Sequence, residues 1–211
     1  MKTTDFKARE PLHIDATGRC PQALQVPSPN RDARPSGVVP ELLVVHNISL
    51  PAGQFGGPHI SQLFTNQLDA SIGADFAALN GLRVSAHFLI RRDGQLIQFV
   101  PTGERAWHAG VSQFEGRAGC NDFSIGVELE GTDFVAFNTP QYDRLCALTI
   151  ALQQAHGLRA VCGHEHIAPG RKTDPGPHFD WLRYQSQWTS GFAPLAAESS
   201  SMAPLRFAIA V

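Results

Sequence analysis

The sequence predicts a single α/β domain with a central mixed β-sheet flanked by helices. Three observations lead to this fold class: short apolar runs typical of buried strands at residues 42–45 and 124–130, a hairpin signal at 82–100, and a well-bounded helix at 140–156. Strands that alternate with helices favour one sheet with helices on its faces. A chain of 211 residues is long enough to bury such a core.

The first half of the chain supplies a buried strand, a short helix and a hairpin. The run LLVVH is apolar until it ends on His46, as expected of a strand buried on both faces that delivers a polar side chain at its carboxyl end. After the loop SLPAGQFGG, a short helix is predicted to begin near Pro58. Within 82–100, alternating runs flank the turn RDGQ, and Asp-Gly in that position strongly favours a hairpin.

The helix at 140–156 is the best defined element of the second half. Thr139 can cap it, Pro140 suits its first turn, and Gly157 ends it. The preceding residues 101–123 are punctuated by glycine and aromatic residues, and they are predicted to form a long loop. Long ordered loops often carry functional residues.

The remaining segments define the domain limits. A strand is predicted at 158–162 and a short amphipathic helix at 179–188. The two ends of the chain show no clear period. We therefore expect an N-terminal extension at 1–25, one folded domain at 26–188 and a weakly ordered C-terminal tail at 189–211.

Composition excludes several classes of function. The net charge of −2 and the isoelectric point near 6.5 leave no basic surface of the kind that binds nucleic acid or anionic membranes. No apolar run approaches the roughly 20 residues needed to cross a bilayer, and the opening MKTTDFKARE has no apolar signal region. The four cysteines form no CxxC pair. We therefore expect a cytoplasmic monomer with reduced thiols that binds neither nucleic acid nor membrane.

Chemically capable side chains stand where the predicted strands run into loops. His46, Glu128 and His164 occupy such positions, and Lys172 and Asp174 follow in the next polar loop. Two imidazoles and one carboxylate satisfy zinc and leave its fourth position open for water, as catalytic zinc sites do. A nearby carboxylate can then accept a proton, and a nearby cation can stabilise an oxyanion.

Spacing alone does not establish this site. A His-x9-Asp pattern matches no short metal motif, and HEHIA is not HExxH, because its second histidine comes one residue too early for one helix face. His46 could be a hydrogen-bonded core histidine, and Asp174 could form a turn before Pro175. From the residues by themselves, these structural interpretations are favoured.

Several long blocks, however, resemble the amidase-2 family in register and in family order. They cover about residues 26–188 and read VPSPNRDARP, LLVVHNISLPAGQFGG, LRVSAHFLIRRDGQLIQFVP, RAWHAGVSQFEGR, CNDFSIGVELEGTDF and GHEHIAPGRKTDPGPHFDW. The blocks are most similar to the cytoplasmic members that act on anhydromuramyl-peptides. The resemblance implies zinc-dependent hydrolysis of the amide between the lactyl group of (1,6-anhydro)-N-acetylmuramic acid and L-alanine, in peptidoglycan recycling.

The resemblance also implies a role for each candidate residue. The histidines of VVHN and GHEH, His46 and His164, become zinc ligands together with the aspartate of KTDPG, Asp174. Glu128, the first acidic residue of IGVELEG, becomes the general base. Lys172 becomes the group that stabilises the oxyanion.

Substrate contacts are implied in the same way. The asparagine after the first ligand, the arginine of RVSAH and the tryptophan of AWHAG are Asn47, Arg83 and Trp107, and they are expected to contact the muropeptide. One position departs from the pattern, because Gly119 stands where close relatives commonly carry an arginine that holds the distal carboxylate of the peptide. Arg117 could reach the same place. This departure leaves the preferred length of the stem peptide undefined.

Neighbouring residues leave alternatives for two roles. His166 competes with His164 as a ligand because both flank Glu165, and the resemblance favours His164. Glu130 competes with Glu128 as the base because residues two apart on a strand share a face. The resemblance again favours the earlier residue.

Other residues in the matched blocks have expected structural roles. His87 is expected to be a hydrogen-bonded interior histidine, and His108 is as well suited to the pocket as to the interior. Arg91 and Arg92 are expected at a solvated hairpin end.

Two rival functions follow from the same resemblance. The first is a catalytically silent peptidoglycan-binding module, but such relatives usually lack a ligand residue, and here all the ligands are kept. The second is a cell-wall amidase that acts on intact peptidoglycan. The opening residues, which lack a signal region, argue against it.

Overall fold

A computed structural model describes residues 11–198 and 204–209 of the chain. The strands are β1 (Leu24–Gln25), β2 (Arg31–Ala33), β3 (Leu42–Ile48), β4 (Phe88–Ile90), β5 (Leu96–Gln98), β6 (Glu104–Ala106), β7 (Gln113–Phe114), β8 (Arg117–Ala118), β9 (Ser124–Glu130), β10 (Ala160–Gly163) and β11 (Arg206–Phe207). The helices are α1 (His59–Phe64), α2 (Ala74–Ala77), α3 (Thr139–His156), α4 (His164–Ile167) and α5 (Trp181–Glu198), with a 3₁₀ turn at Cys120–Asp122.

Seven strands form one mixed sheet in the order β1-β5-β4-β9-β3-β10-β11. Neighbouring strands are parallel throughout except at the β4–β5 hairpin, which is antiparallel. The long strands β3 and β9 lie at the centre and pair over seven residues each. The predicted fold class, a mixed sheet flanked by helices, is therefore confirmed.

Alternation along the two central strands separates the faces of the sheet. Ile125, Val127 and Leu129 of β9 lie in the hydrophobic core that α3 and α5 cover. The residues between them, Gly126 and Glu128, point to the opposite face because successive side chains of a strand alternate. The second face is thus free to carry polar side chains.

Strand β3 follows the same rule. Leu43 and Val45 belong to the core under α3 and α5, whereas Leu42 and Val44 belong to a second apolar cluster on the other side. His46 continues the second series. The central strands therefore present His46 and Glu128 on one face.

The start of α3 differs by one residue from the prediction. Asn138, not Thr139, is the N-cap residue, and its backbone N–H donates to Oε1 of Gln141 at 3.0 Å. Pro140 lies in the first turn and Gly157 ends the helix in the left-handed conformation, with φ of +63°. The side chain of Asn138 also exchanges hydrogen bonds with Arg92, which joins the start of α3 to the β4–β5 hairpin.

The loop predicted at 101–123 contains more regular structure than its sequence indicates. It includes β6, which pairs with the short strand β2, and the small hairpin of β7 and β8. Each of these strands has only two or three residues, too few for alternation to be visible in the sequence.

Both ends of the described chain contribute to the sheet. Strand β1 pairs with β5, and β11 pairs with β10. Helix α5 continues to Glu198, ten residues past the predicted end at 188. Regular structure therefore continues into the segment expected to be a weakly ordered tail, in this helix and in β11, while residues 1–10, 199–203 and 210–211 lie outside the described residues. The domain boundaries at 26 and 188 remain a prediction.

Two further expectations concern the whole described chain. No helix within residues 11–198 and 204–209 combines the length and the apolar character that a bilayer crossing demands. All four cysteines are free and buried. Burial raises the pKa of Cys146 to about 12, so this thiol stays protonated at neutral pH.

Candidate metal centre

The three predicted ligands meet at the carboxyl ends of the parallel strands β3, β9 and β10. His46 and Glu128 are register partners on the paired strands β3 and β9. His164 directly follows β10 as the first residue of α4. Open α/β sheets characteristically bind ligands at this edge, because the side chains that leave parallel strands converge there.

The ligand atoms form a nearly equilateral triangle. His46 Nδ1 lies 3.1 Å from His164 Nδ1 and 2.9 Å from Asp174 Oδ2, and His164 Nδ1 lies 3.0 Å from the same oxygen. Ligands about 2.0–2.1 Å from a tetrahedral zinc ion stand about 3.3 Å apart. The triangle is close to one face of that tetrahedron, so this donor set fits zinc.

The charge states of these groups also suit a metal. Burial tends to raise the pKa of Asp174, but its close contacts with the imidazoles of His164 and His46 outweigh burial and hold the pKa well below its usual value. Burial lowers the pKa of His46. A neutral imidazole and an ionised carboxylate are the forms in which these residues bind metal.

Glu128 is buried beside this cluster without a partner for one of its oxygens. Its side-chain atom Oε2 has no hydrogen-bond partner among the described residues. Burial raises the pKa of Glu128 well above its usual value, the charge of Asp174 adds to the rise, and Lys172 opposes it. A carboxylate with a raised pKa and a free oxygen can accept a proton from a reacting water.

The competing carboxylate, Glu130, is fully engaged. It accepts the backbone N–H groups of Gly56 and Arg92 at 2.6 and 3.1 Å, and Arg91 Nη1 lies 3.1 Å from its Oε1. Glu130 therefore ties the loop before α1 to the β4–β5 hairpin. Arg91 and Arg92 were expected at a solvated hairpin end, and this expectation is wrong. The side chain of Arg91 is only 13% exposed in its ion pair with Glu130, and Arg92 stacks on Phe55.

Lys172 lies on an exposed loop at the rim of the same cavity. The backbone N–H groups of Arg171 and Lys172 both donate to the carbonyl of Ala168, which makes the loop a tight turn. The ammonium lowers the pKa of Glu128 through its charge, so it lies within electrostatic reach of the site. Lys172 can therefore face negative charge that develops in the cavity.

The cavity has a volume of about 260 Å³ and is lined by both polar and apolar side chains. The polar lining includes the metal cluster and Glu128 with Lys172. The apolar lining consists of Ile48, Leu63, Phe64, Leu82, Val84 and Trp107. Such a combination suits a ligand with an apolar or ring-shaped part attached to a polar reacting group.

Two of the three predicted substrate contacts line this cavity. Trp107 is fixed by its indole N–H, which donates to Asp32 Oδ1 at 3.2 Å. Asn47 donates both amide hydrogens within the protein, to Asp133 Oδ1 at 2.7 Å and to the carbonyl of Pro175 at 3.0 Å. Its own side-chain oxygen is left as the atom that can accept a hydrogen bond from a ligand.

Arg83 is not brought into this cavity. It is exposed and lines a neighbouring cavity with residues of α2 and the following turn. The segment next to it does reach the site, because Val84 and Ser85 belong to the wall of the metal cavity. Its role in substrate binding remains a prediction.

Arg117 does not replace the arginine expected at Gly119. Its guanidinium pairs with Glu41 and lies 3.9 Å above the ring of Phe123. These residues line a separate cavity with Arg159. Gly119 itself adopts φ of +73°, a left-handed conformation that favours glycine over arginine at this position.

The other three histidines considered in the sequence occupy different places in the structure. His166 accepts the backbone N–H of Gly163 at 2.9 Å, at the start of α4, and it lies outside the three-residue cluster. His87 is buried and accepts the N–H of Gly126, so it is an interior histidine as predicted. His108 lines the cavity.

Two contributors were not singled out from the sequence. Asp133 holds the amide of Asn47, and a Cβ on Gly176 would come within 2.6 Å of its Oδ1. Asn121 accepts the backbone N–H groups of His108 and Ala109 through its side chain. Both lie in the blocks that carry the resemblance, which was the one signal available, because neither belongs to a recognisable short motif.

The chain is similar in sequence to known amidases. Residues 36–177 match the family Amidase_2, described as N-acetylmuramoyl-L-alanine amidase. Over 165 residues, which are 77% of this chain and 90% of the relative, the chain is 57% identical to the 1,6-anhydro-N-acetylmuramyl-L-alanine amidase AmpD of Escherichia coli K12.

Solved structures give the same result. The crystal structure of a selenomethionine derivative of AmpD matches with a TM-score of 0.78 at 54% identity, covering 81% of this chain and 97% of that one. The amidase AmiD from Escherichia coli, in complex with anhydro-N-acetylmuramic acid-L-Ala-D-γ-Glu-L-Lys, matches with a TM-score of 0.54 at 27% identity, covering 73% and 60%.

Proposed function

The chain belongs to the Amidase_2 family of N-acetylmuramoyl-L-alanine amidases, and from that membership we propose that it hydrolyses the lactyl–L-alanine amide of 1,6-anhydro-N-acetylmuramyl peptides. The observation that carries the proposal is the placement of Glu128, with an unpartnered buried oxygen, beside the convergent atoms of His46, His164 and Asp174. The groups needed to hold a metal and to transfer a proton therefore line one cavity.

We propose zinc as the metal, held by His46, His164 and Asp174. When bound, zinc supplies Lewis-acid polarisation of the scissile carbonyl and lowers the pKa of water to about 7. The donor set of two imidazoles and one carboxylate, and its near-tetrahedral spacing, support this choice.

Glu128 is the proposed general base. Its free Oε2 takes a proton from the attacking water while the oxygen–carbon bond forms. The same carboxyl group then delivers the proton to the alanine nitrogen as the carbon–nitrogen bond breaks. The raised pKa of Glu128 makes its carboxylate a stronger proton acceptor than an exposed glutamate, which favours the first half of this exchange.

The remaining residues of the cavity are proposed to bind the substrate and to stabilise charge that develops during the reaction. Lys172 is placed to compensate the negative charge on the carbonyl oxygen during the reaction. The apolar side chains that line the cavity, Trp107 among them, suit contact with the sugar and the lactyl methyl group. Asn47 offers its side-chain oxygen to an N–H of the peptide.

The biological setting is part of the proposal. AmiD was solved with an anhydromuramyl tripeptide, and AmpD of Escherichia coli is named for the same bond. We place this chain with them as a monomeric, cytoplasmic enzyme of peptidoglycan recycling, on the strength of the identity to AmpD.

Metal content and turnover test the proposal together. Purified protein should contain about one zinc per chain and should release the peptide from anhydromuramyl-tripeptide, as followed by liquid chromatography. Chelation should abolish the release, and added zinc should restore it. Protein that binds muropeptide without metal and without cleavage would instead be a binding module. Faster release from intact sacculi than from the soluble tripeptide would contradict the recycling role.

A further inference from the structure

A chain of hydrogen bonds runs from the ligand His46 away from the metal position. His46 Nε2 lies 2.9 Å from His108 Nδ1, and His108 Nε2 lies 3.1 Å from the hydroxyl of Ser124. The chain ends where Ser124 Oγ lies 2.6 Å from the backbone carbonyl of Cys120. Three groups are thus linked in series behind one ligand.

The direction of every bond in this series follows from its last member. A carbonyl oxygen only accepts, so the single hydroxyl hydrogen of Ser124 is donated to Cys120. The hydroxyl oxygen must then accept from His108, which places a hydrogen on Nε2 of that ring. A neutral imidazole with its hydrogen on Nε2 has a bare Nδ1, and this atom accepts from His46 Nε2–H.

We infer that His108 is a positioning residue that fixes the tautomer of the metal ligand His46. With its hydrogen held on Nε2, His46 presents a bare Nδ1 toward His164 and Asp174, as metal binding requires. Ser124 and the Cys120 carbonyl set the direction of the series. The inference rests on the proposed metal site and adds two residues to it.

Local packing holds His108 in this place. The ring lies against Gly126 of β9, where a Cβ would come within 2.5 Å of the imidazole Cγ. The side-chain oxygen of Asn121 accepts the backbone N–H of His108 at 3.1 Å and that of Ala109 at 2.8 Å. Contact with Gly126 and the hydrogen bonds of Asn121 to the backbone therefore restrict the position of the imidazole.

The neighbouring residue orients the second ligand. His164 Nε2 lies 3.2 Å from the carbonyl of Ala109, to which it donates, so its Nδ1 is also bare and faces the metal position. The dipeptide His108-Ala109 therefore orients both imidazole ligands, one through a side chain and one through a backbone carbonyl.

The wild-type protein tests the tautomers directly. Long-range proton–nitrogen correlation spectra of the zinc-loaded protein should show His108 and His46 each carrying hydrogen on Nε2. A hydrogen on Nδ1 of His108 would overturn the inference. Failure of the wild-type protein to bind zinc would instead remove the proposed metal site, so the two failures are distinguishable.

Two nearly isosteric substitutions test the need for the acceptor. His108→Leu removes it, whereas His108→Asn offers an amide oxygen near the position of Nδ1. Zinc affinity, measured by competition with a chromophoric chelator, should fall about 10–100-fold in the leucine variant. The asparagine variant should recover most of this loss. Equal losses in both variants, or no loss in either, would overturn the inference.

Two further variants separate orientation from simple packing. Ser124→Ala leaves His108 in place but removes the acceptor for its Nε2–H, so zinc should bind more weakly than to the wild type although the metal-free protein unfolds at a similar temperature. His156→Leu removes another histidine that bonds a hydroxyl, at Thr102, away from the metal cavity. It should leave zinc affinity unchanged. Unaltered zinc affinity in Ser124→Ala would show that the hydroxyl does not set the tautomer, even if the His108→Leu variant failed to fold.

Discussion

At the scale of single residues, two glutamates on strand β9 differ in how their carboxylates are hydrogen-bonded. Glu128 has a buried oxygen without a partner among the described residues, whereas Glu130 is bonded by three groups. An unpartnered carboxylate is costly to bury, and a satisfied one stabilises its neighbours. The two residues therefore allow chemistry and structure to be tested separately.

Replacement of Glu128 by glutamine should remove the general base without affecting zinc binding. We expect turnover of anhydromuramyl-tripeptide to fall about 10²–10⁴-fold, because an amide cannot accept the proton from water. Zinc content should stay at the wild-type level. Glu130→Gln is the matched control, and it should lower the unfolding temperature more than it lowers turnover. Near-normal turnover in Glu128→Gln would exclude this residue as the base.

The same substitution should stabilise the metal-free protein at neutral pH. The folded-state pKa of Glu128 lies well above its ordinary value of 4.5 because the side chain is buried. Folding therefore carries a free-energy penalty wherever the unfolded chain has this carboxylate ionised. The penalty is full above the folded-state pKa and disappears as the pH falls below about 4.5. Thermal unfolding of the two metal-free proteins from pH 4 to pH 8 should show a gain for glutamine that grows with pH. A gain that is independent of pH would contradict the raised pKa.

The convergence of His46, His164 and Asp174 could be predicted from the blocks that resemble the family, but not from local spacing. His46 and Asp174 are 128 positions apart and approach within 2.9 Å, which no local pattern encodes. Several blocks in family order indicated the ligands. Arg83 shows the limit of such blocks, because its block reaches the cavity through Val84 and Ser85 while its own side chain lies elsewhere.

At the scale of elements, strand β9 organises the site. It pairs with β3 so that Glu128 stands beside His46, and its Gly126 accommodates the ring of His108. The long strands and α3 were predictable because each has seven or more residues, enough for an apolar run or a helical period to be visible in the sequence. Strands β1, β2 and β6 were not, since two or three residues carry no period and depend on partners distant in sequence.

Gly126→Ala should disturb the metal site through packing. A Cβ at this position would come within 2.5 Å of the His108 ring, so the ring must move away from His46. Zinc affinity should fall about 10–100-fold, as after the loss of other groups that orient ligands. The neighbouring Ile125→Val acts on the opposite face and should cost about 0.5–1.5 kcal/mol of unfolding free energy with zinc affinity unchanged. Equal zinc affinities in both variants would contradict this role of Gly126.

At the scale of the whole molecule, the C-terminal segment completes the core. Leu205 is buried, and the ring of Phe207 lies 5.2 Å from that of Tyr184 and 5.8 Å from that of Trp188. The sequence of this segment has no clear period, so its place in the sheet could not be predicted. Its contacts are made with β10 and α5.

Truncation after residue 188 should therefore destabilise the fold. The shortened chain loses β11 and the second half of α5, and with them the aromatic contacts of Phe207. We expect a lower unfolding temperature and weaker protection of β10 in hydrogen exchange. An unchanged unfolding temperature would support the boundary predicted at 188.

Zinc should stabilise the folded chain as a whole, because its proposed ligands join β3 to the loop that follows α4. A ligand that binds only the folded state stabilises it by about 2.7 kcal/mol at a free concentration 100-fold above Kd. The unfolding temperature should rise with added zinc in the wild type and stay constant in Asp174→Asn. A similar rise in both proteins would place the stabilising zinc elsewhere.

The alternation along β9 also bears on how such an enzyme can change over generations. Ile125, Val127 and Leu129 point into the core, and the intervening residues Ser124, Gly126 and Glu128 lie on the face that carries the candidate metal centre. Variation at the three core positions can adjust thermal tolerance while catalysis is preserved, and Ser124, Gly126 and Glu128 can vary only at the expense of metal binding or activity. One deleted residue would exchange the two sets, so this strand can evolve by substitution but not by a change of length.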